Sequence, residues 1–291
     1  MDRETREIVK RKIRVSVVVP AYNREKTIER CIQSIKRQTM QPYEIVLVDD
    51  GSTDQTVRLA EDIPCKYLKI LRQNHKGAQA ARNLGILNAK GNYIAFLDSD
   101  DEWLPEMLER EIEYLLQRKN NCVLYSDCYI YDDKGERVWR RPGRTGNTYH
   151  ESLLQGGPMF QSMLVKKSLL YKIGLLDEKV AAYQEWETAI RLAKRAEFVH
   201  IREPLFIYHC HSGETISKDI KKGIQGYLYI VKKFQKDIVK VHGFGGLAFH
   251  YKNLMDSSRQ CKNKLIVVFW IKTFCYNRLS ILDQFIKNRD N

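Results

Sequence analysis

The sequence predicts an α/β protein: a mostly parallel sheet flanked by helices, followed by a helical extension. Three observations carry this. Short β-branched runs alternate with segments of helical period between residues 14 and 100. Tyr93–Leu97 is too apolar to face water, and three of the runs end in turn-forming or acidic residues. From about Ser212 onward the chain becomes basic, helix-prone and rich in Tyr, Phe and Lys.

The elements follow in order. Val15–Pro20 is a strand closed by proline, and Arg24–Gln38 has apolar residues at Ile28, Cys31, Ile32 and Ile35, a helical spacing. Glu44–Val48 is a second strand, closed by Asp49-Asp50-Gly51-Ser52, with Ser52 or Thr53 as cap of a helix through Ala60. Lys66–Leu71 is a third strand, Gly77–Ala89 an alanine-rich helix and Asn92–Leu97 a fourth strand. Strands joined by helices of this length imply right-handed crossovers and parallel pairing. Beyond Pro105 a helix runs to about Arg118, then come the strand Cys122–Tyr131, a hairpin turn and Arg137–Trp139. Mixed α+β follows, with a helix at Glu185–Arg195 and short strands at Phe198–Ile201 and Leu205–His209.

The 291 residues are 43% hydrophobic and 29% charged, which excludes a disordered chain. The division expected is a charged tail at 1–12, a main domain at 13–212 and a basic helical extension at 213–291. Seven cysteines, an odd number without CxxC spacing, point to reduced thiols and a cytoplasmic setting. The charged N-terminus lacks the apolar stretch of a signal peptide, and no apolar run approaches the ~20 residues that span a bilayer. The formal charge is +13, and from Ser212 to Asn291 there are 15 Lys/Arg against 6 Asp/Glu. Such an excess points to an anionic partner or to a solvated basic surface.

In an open parallel sheet, ligands bind beyond the carboxyl ends of the strands. Three predicted strand ends carry suggestive groups: Pro20-Ala21-Tyr22-Asn23, Asp49-Asp50-Gly51-Ser52 and Asp98-Ser99-Asp100-Asp101. Taken alone, the last is an acidic turn capping the next helix. At the end of a buried strand, with Asp98 and Asp100 two positions apart, it offers hard oxygen ligands to Mg²⁺ or Mn²⁺. Asp50 offers a carboxylate to a base or ribose, and Tyr22 a ring beside a planar base; both also suit ordinary turns. Lys76 and Gly77 precede a small-residue helix that carries Arg82 and Asn83, an arrangement favouring an anionic diphosphate.

These pieces, in this order, resemble the family-two inverting glycosyltransferases with the GT-A, Rossmann-like fold. The resemblance is carried by Val15-Ser16-Val17-Val18-Val19-Pro20-Ala21-Tyr22-Asn23 and by Ile45-Val46-Leu47-Val48-Asp49-Asp50-Gly51-Ser52-Thr53-Asp54. It continues through Asn74, Gly77 and Ala81-Arg82-Asn83, then Gly91-Asn92-Tyr93-Ile94-Ala95-Phe96-Leu97-Asp98-Ser99-Asp100-Asp101. It covers roughly residues 13–212 and implies a metal-dependent transfer from a nucleotide sugar, a UDP-sugar above all, to a glycan or lipid-linked hydroxyl. Pro20, Ala21, Tyr22 and Asp50 are thereby placed at the base, Asn23 in the same nucleotide-sugar site, and Asp98, Ser99 and Asp100 at the ribose and the Mn²⁺ or Mg²⁺ diphosphate. A later acidic motif supplies the proton acceptor. Here it reads Gln184-Glu185-Trp186-Glu187, with Gln184 in place of an acid. Glu185 is then the base, with Glu187 as rival and Trp186 on the donor side. His209 and His211 follow the strand Leu205–Tyr208, where the resemblance implies a histidine near the metal or the diphosphate, and His211 fits that position better, as a further metal ligand.

The tail mixes Lys232, Lys233, Lys236 and Lys240 with Tyr227, Tyr229, Ile230 and Phe234, and continues through Lys264–Lys272. Two readings stand: peripheral binding at the anionic inner face of the cell membrane, or packing of these apolar residues within the protein or on a second subunit. For the whole chain, the alternative to an enzyme is a catalytically impaired domain that only recognises a glycan or nucleotide, to which the Gln184 departure gives room. No nucleic-acid-binding signature is present in the sequence.

Overall fold

The computed structural model describes residues 12–118, 121–132, 135, 137–140, 143, 145–210, 219–260 and 265–287. Their contacts divide the chain into two compact units. The first comprises residues 1–148, 158–178 and 191–212; the second comprises 149–157, 179–190 and 213–291. The division therefore departs from a single cut near residue 212: two internal segments join the C-terminal helices. One of them carries Glu185.

The first unit is built on a nine-stranded sheet ordered β3-β2-β1-β4-β8-β6-β9-β5, with β7 (Arg137–Arg140) paired antiparallel to β6. Strands β1 (Val15–Ala21), β2 (Glu44–Asp49), β3 (Leu68–Arg72) and β4 (Tyr93–Phe96) are mutually parallel, as the alternation with helices requires. Every residue of β1 and β2 is buried, which is why their sequences run apolar without alternation. Beyond β4 the sheet becomes mixed. The three-residue β8 (Leu164–Lys166) runs antiparallel to both β4 and β6 (Cys122–Tyr131). β6 in turn lies parallel to β9 (Glu197–His209), which pairs antiparallel with β5 (Glu102–Trp103). The two short strands expected at 198–209 are one, bent where the register with β6 shifts at Asp127.

The helices of this unit are α1 (Ile28–Lys36), α2 (Thr56–Glu61), α3 (Ala78–Asn88), α4 (Met107–Leu116) and α6 (Lys167–Lys172), with α5 (Tyr149–Ser152) in the second unit. α3 lies close on β1 because Gly85 has no side chain: a Cβ there would fall 2.5 Å from Val18 Cγ1. This explains the small residues of that helix as packing. α2 begins at Thr56, and Ser52 serves another purpose, accepting from the Asn23 backbone at 2.9 Å.

The second unit gathers α8 (Ile220–Lys233), α9 (Gln235–Gln260, broken at Gly243 with φ 62°) and α10 (Ile266–Lys287) around the start of α7 (Gln184–Ala193). Its core includes Leu153, Trp186, Ile190, Val231, Tyr251 and Leu254, so it has an apolar interior of its own.

Candidate active site

The registers of the parallel half bring three strand ends to one edge. Ala21 lies opposite Asp49, and the ladder continues as Asp50 N–H donates to the Ala21 carbonyl at 2.8 Å. On the other side Leu97 N–H donates to the Val18 carbonyl at 3.2 Å, so the Asp98 segment leaves the sheet beside β1.

The first two ends interlock. Asn23 adopts φ 51°, a left-handed conformation that Asn tolerates better than most residues. Its side-chain oxygen accepts from Thr53 N–H at 2.9 Å, while Arg24 N–H donates to Thr56 Oγ1 at 2.6 Å. Pro20 and Ala21 are buried in β1, whereas Tyr22 is 39% exposed and stacks on His75 with ring centroids 4.1 Å apart. A flat aromatic surface is thus offered at this edge.

Asp50 is only 3% exposed, and its carboxylate organises the next loop. Oδ1 accepts from Gln73 Nε2 at 2.6 Å and from Lys76 N–H at 2.8 Å. Oδ2 accepts from Gly77 N–H at 2.8 Å and lies 2.9 Å from His75 Nδ1. Four partners match the lone-pair capacity of a carboxylate. Gly77, at φ 95°, then opens α3, and Lys76 stands exposed just ahead of it. Asp50 therefore shapes the loop that presents Lys76 and His75, the ring on which Tyr22 stacks.

At the third end the chain does not stay extended. Asp101 N–H donates to the Asp98 carbonyl at 3.0 Å, closing a turn, so Asp98 and Asp100 do not share a face by strand alternation. Each acid has a different place. Asp98 meets Arg82, whose Nη2 stands 2.5 Å from Oδ1; the Arg82 guanidinium is buried, bonded to Gln79 Oε1 at 2.9 Å and set 4.4 Å over the Phe160 ring. Asp100 Oδ2 lies 3.4 Å from Arg24, and its carbonyl accepts from Arg30 at 2.5 Å. Ser99 is buried between them. Asp101 is interior, accepting from Gln161 Nε2 at 2.6 Å and from His209 N–H at 2.9 Å. Burial pushes its carboxyl well above the ordinary range, helped by the charges of Asp100 and Asp98. Asp101 thus ties the acidic turn to β9.

The nearby Cys31 thiol is likewise pushed up, by burial first and then by Asp101, Asp100 and Asp98. Arg24, Arg30, Gln161 and Phe160 did not stand out in the sequence. A pair of arginines placed just after a strand-end loop, at the start of α1, is the signal that points to the first two. His209 is committed to Glu102, 2.9 Å away, and His211 lies outside the described residues.

Two carboxylates of hard oxygen character, Asp98 and Asp100, are present for a divalent cation. Among the described residues there is no group of three or more His, Cys, Asp or Glu able to hold a metal. Each of the two aspartates is paired to an arginine, Asp98 to Arg82 and Asp100 to Arg24, and two such acids would suit a cation that takes one or two carboxylates and completes its shell with phosphate and water oxygens.

Glu185 lies in the second unit, half-buried in the first turn of α7. Tyr183, at φ 60°, precedes it, and the Tyr183 carbonyl accepts from Trp186 N–H at 3.0 Å. Trp186 is 3% exposed: its indole N–H donates to the Ser152 carbonyl at 2.6 Å, and its ring packs on Tyr227 at 4.8 Å and His250 at 5.7 Å. Trp186 thus supports α7 from within the unit. Glu187 is fully buried and bonded to Lys233 Nζ at 2.6 Å. Of the two glutamates, only Glu185 keeps partial access to solvent.

With this geometry the chain joins a known class. It belongs to glycosyl transferase family 2, whose family model matches residues 16–174. The protein is a glycosyltransferase. Its α/β architecture is that of the crystal structure of S. aureus TarS 1-349 in complex with UDP-GlcNAc: TM-score 0.63 at 18% identity, covering 91% of this chain and 90% of that one. An uncharacterized glycosyltransferase of Haemophilus influenzae is 25% identical over 268 residues, 88% of this chain and 90% of that protein. The Escherichia coli UDP-Glc:alpha-D-GlcNAc-diphosphoundecaprenol beta-1,3-glucosyltransferase WfgD is 41% identical over 157 residues, 54% of this chain and 61% of WfgD. Several other curated glycosyltransferases match over less than half of their own length.

Proposed function

We propose that this enzyme transfers a sugar from a UDP-sugar to a hydroxyl of a glycan or lipid-linked glycan, inverting the anomeric centre. The observation that carries the reading is the meeting of three strand ends at one edge. There an exposed Tyr22–His75 stack and an Arg-flanked acidic turn are held in place by Asp50 and Asp101. The names of two relatives support the substrate classes, since TarS was crystallised with UDP-GlcNAc and WfgD takes UDP-Glc to a diphosphoundecaprenol-linked acceptor.

In this reading Tyr22 flanks the base, Lys76 and Arg82 favour the diphosphate, and Asp98, Ser99 and Asp100 position the ribose and a Mn²⁺ or Mg²⁺ ion. When bound, the cation offsets the charge that develops on the departing nucleoside diphosphate. Glu185 takes the proton from the acceptor hydroxyl as its oxygen attacks the anomeric carbon and the bond to the diphosphate breaks. The access of Glu185 and the burial of Glu187 favour this assignment over its rival.

The test is transfer activity across UDP-sugars with added Mn²⁺, comparing Glu185→Gln and Glu187→Gln. Loss of a general base costs about 10²–10⁴ in rate. Glu185→Gln is expected to lose activity on that scale while its melting temperature stays put; Glu187→Gln lowers the melting temperature. Full activity in Glu185→Gln removes that residue from the mechanism.

A further inference from the structure

The last helix has its two faces exchanged. α10 turns Val267, Trp270, Ile271, Phe274, Ile281 and Leu282 outward, with relative exposures of 60%, 57%, 49%, 52%, 64% and 56%. At about 100° per residue these six side chains fall on one side of the helix, spaced as i, i+3, i+4 and i+7 neighbours. The inner side is more polar. Tyr276 stacks on Tyr251 at 5.5 Å and on Phe244 at 6.2 Å, and Lys272 Nζ donates to Tyr251 Oη at 3.2 Å. Thr273, Ser280 and Asp283 are also half-buried, and Phe269 is fully interior. A helix on a water-facing protein ordinarily turns its apolar stripe inward. An apolar surface of this size facing out marks a contact with something else.

The charge of the same unit indicates what that is. Lys221, Lys222 and Lys232 on α8, with Lys236, Lys240 and Lys252 on α9, are exposed in the same unit, where Lys/Arg exceed Asp/Glu by nine from Ser212 onward. A second copy would bring two units of strong positive net charge together, which electrostatics oppose. A phosphate-rich lipid surface satisfies both features, taking the apolar face into the headgroup–acyl boundary and the lysines onto the headgroups. Among the described residues no helix is long and apolar enough to cross a membrane, so the association is with the surface. Arg278 on the outer side lies 5.3 Å over the Phe274 ring, a long stem along the apolar face with its charge at the end.

We propose that α10 docks the C-terminal unit onto an anionic lipid surface, lying in its plane with Trp270 and Phe274 inserted. The inference stands on the second unit alone and is independent of the donor and base assignments above.

Flotation of the full chain with phosphatidylglycerol-containing vesicles, against phosphatidylcholine alone, tests it. The wild type is expected to float with the anionic vesicles at low salt. The Trp270→Ser/Phe274→Ser/Ile281→Ser variant is expected to bind at least ~100-fold more weakly, since each buried apolar side chain contributes strongly. Its melting temperature should be unchanged, because all three side chains are exposed. Lys236→Gln/Lys240→Gln should weaken binding by about five-fold per lysine. A wild type that stays at the bottom of the gradient overturns the proposal, as does a triple-serine variant that floats equally well. A wild-type dimer in light scattering that the serines turn into a monomer would assign the face to a second copy, and overturns it too.

Discussion

Lowering the pH should loosen the second unit through one buried imidazole. His250 Nε2 lies 2.9 Å from the Leu153 carbonyl, which can only accept, so the neutral ring carries its proton there. Its Nδ1, 2.9 Å from Tyr227 Oη, must then accept from the tyrosine hydroxyl, which itself accepts from Asn253 at 3.0 Å. A second proton on the ring would face the tyrosine proton. Burial, above all, holds the His250 pKa down at about 4 from 6.5, while it pushes Tyr227 up to about 12. Above pH 6.5 neither folded nor unfolded chain protonates this position. Between 6.5 and about 4 the unfolded chain takes a proton that the folded one refuses. Stability is therefore fully present above 6.5 and declines toward pH 4, by about 3 kcal/mol in total. Urea unfolding from pH 7.5 to 4, followed by fluorescence, is the assay. His250→Gln retains a donor for Leu153 and an acceptor for Tyr227 but does not titrate, so the difference between the two proteins isolates the imidazole. If wild type and His250→Gln lose stability in parallel across this window, the buried neutral histidine is the wrong account.

Two further outcomes follow from packing and from the Asp50 cluster. A Cβ at Gly226 would fall 2.4 Å from the Ala182 carbonyl oxygen and 2.6 Å from its nitrogen, backbone atoms that cannot yield cheaply. Gly226→Ala would add up to about 1 kcal/mol of helix propensity and lose about 1–3 kcal/mol to overpacking. A net drop in melting temperature is expected, with a lower kcat, since the segment displaced leads to Glu185; a rise in melting temperature refutes the clash. Asp50→Ala removes the acceptor for Gln73, Lys76 and Gly77, so donor binding measured calorimetrically should weaken by at least ~10-fold. Unchanged affinity would mean that the loop takes no part in holding the donor.

Much of the architecture is legible locally. The continuous burial of β1 and β2 leaves its mark in each residue pair, and the crossover rule then brings their carboxyl ends to one edge. The opposite half of the sheet was harder to read. β8 has three residues and β5 two, too few for any period, and each owes its place to a partner far along the chain. A strand such as β9 looks like two until its neighbour β6 is known to accommodate the bulge.

The alternation of buried strands and helices, the three polar strand ends and the family motifs they carry are written in the chain itself. These are properties of neighbouring residues, and backbone periodicity expresses them directly. What each acid does is fixed by the folded chain. Asp98 meets Arg82, Asp101 turns inward to Gln161 and His209, Asp50 braces a loop, and Glu187 pairs with Lys233 while Glu185 keeps its access. The folded chain also fixes which way α10 faces, for its composition admits either side as the interior. The physical reason is common to all of these. A carboxylate's role, like a helix's buried side, is set by the charge and volume of groups remote in sequence, and local spacing does not encode which of them arrives.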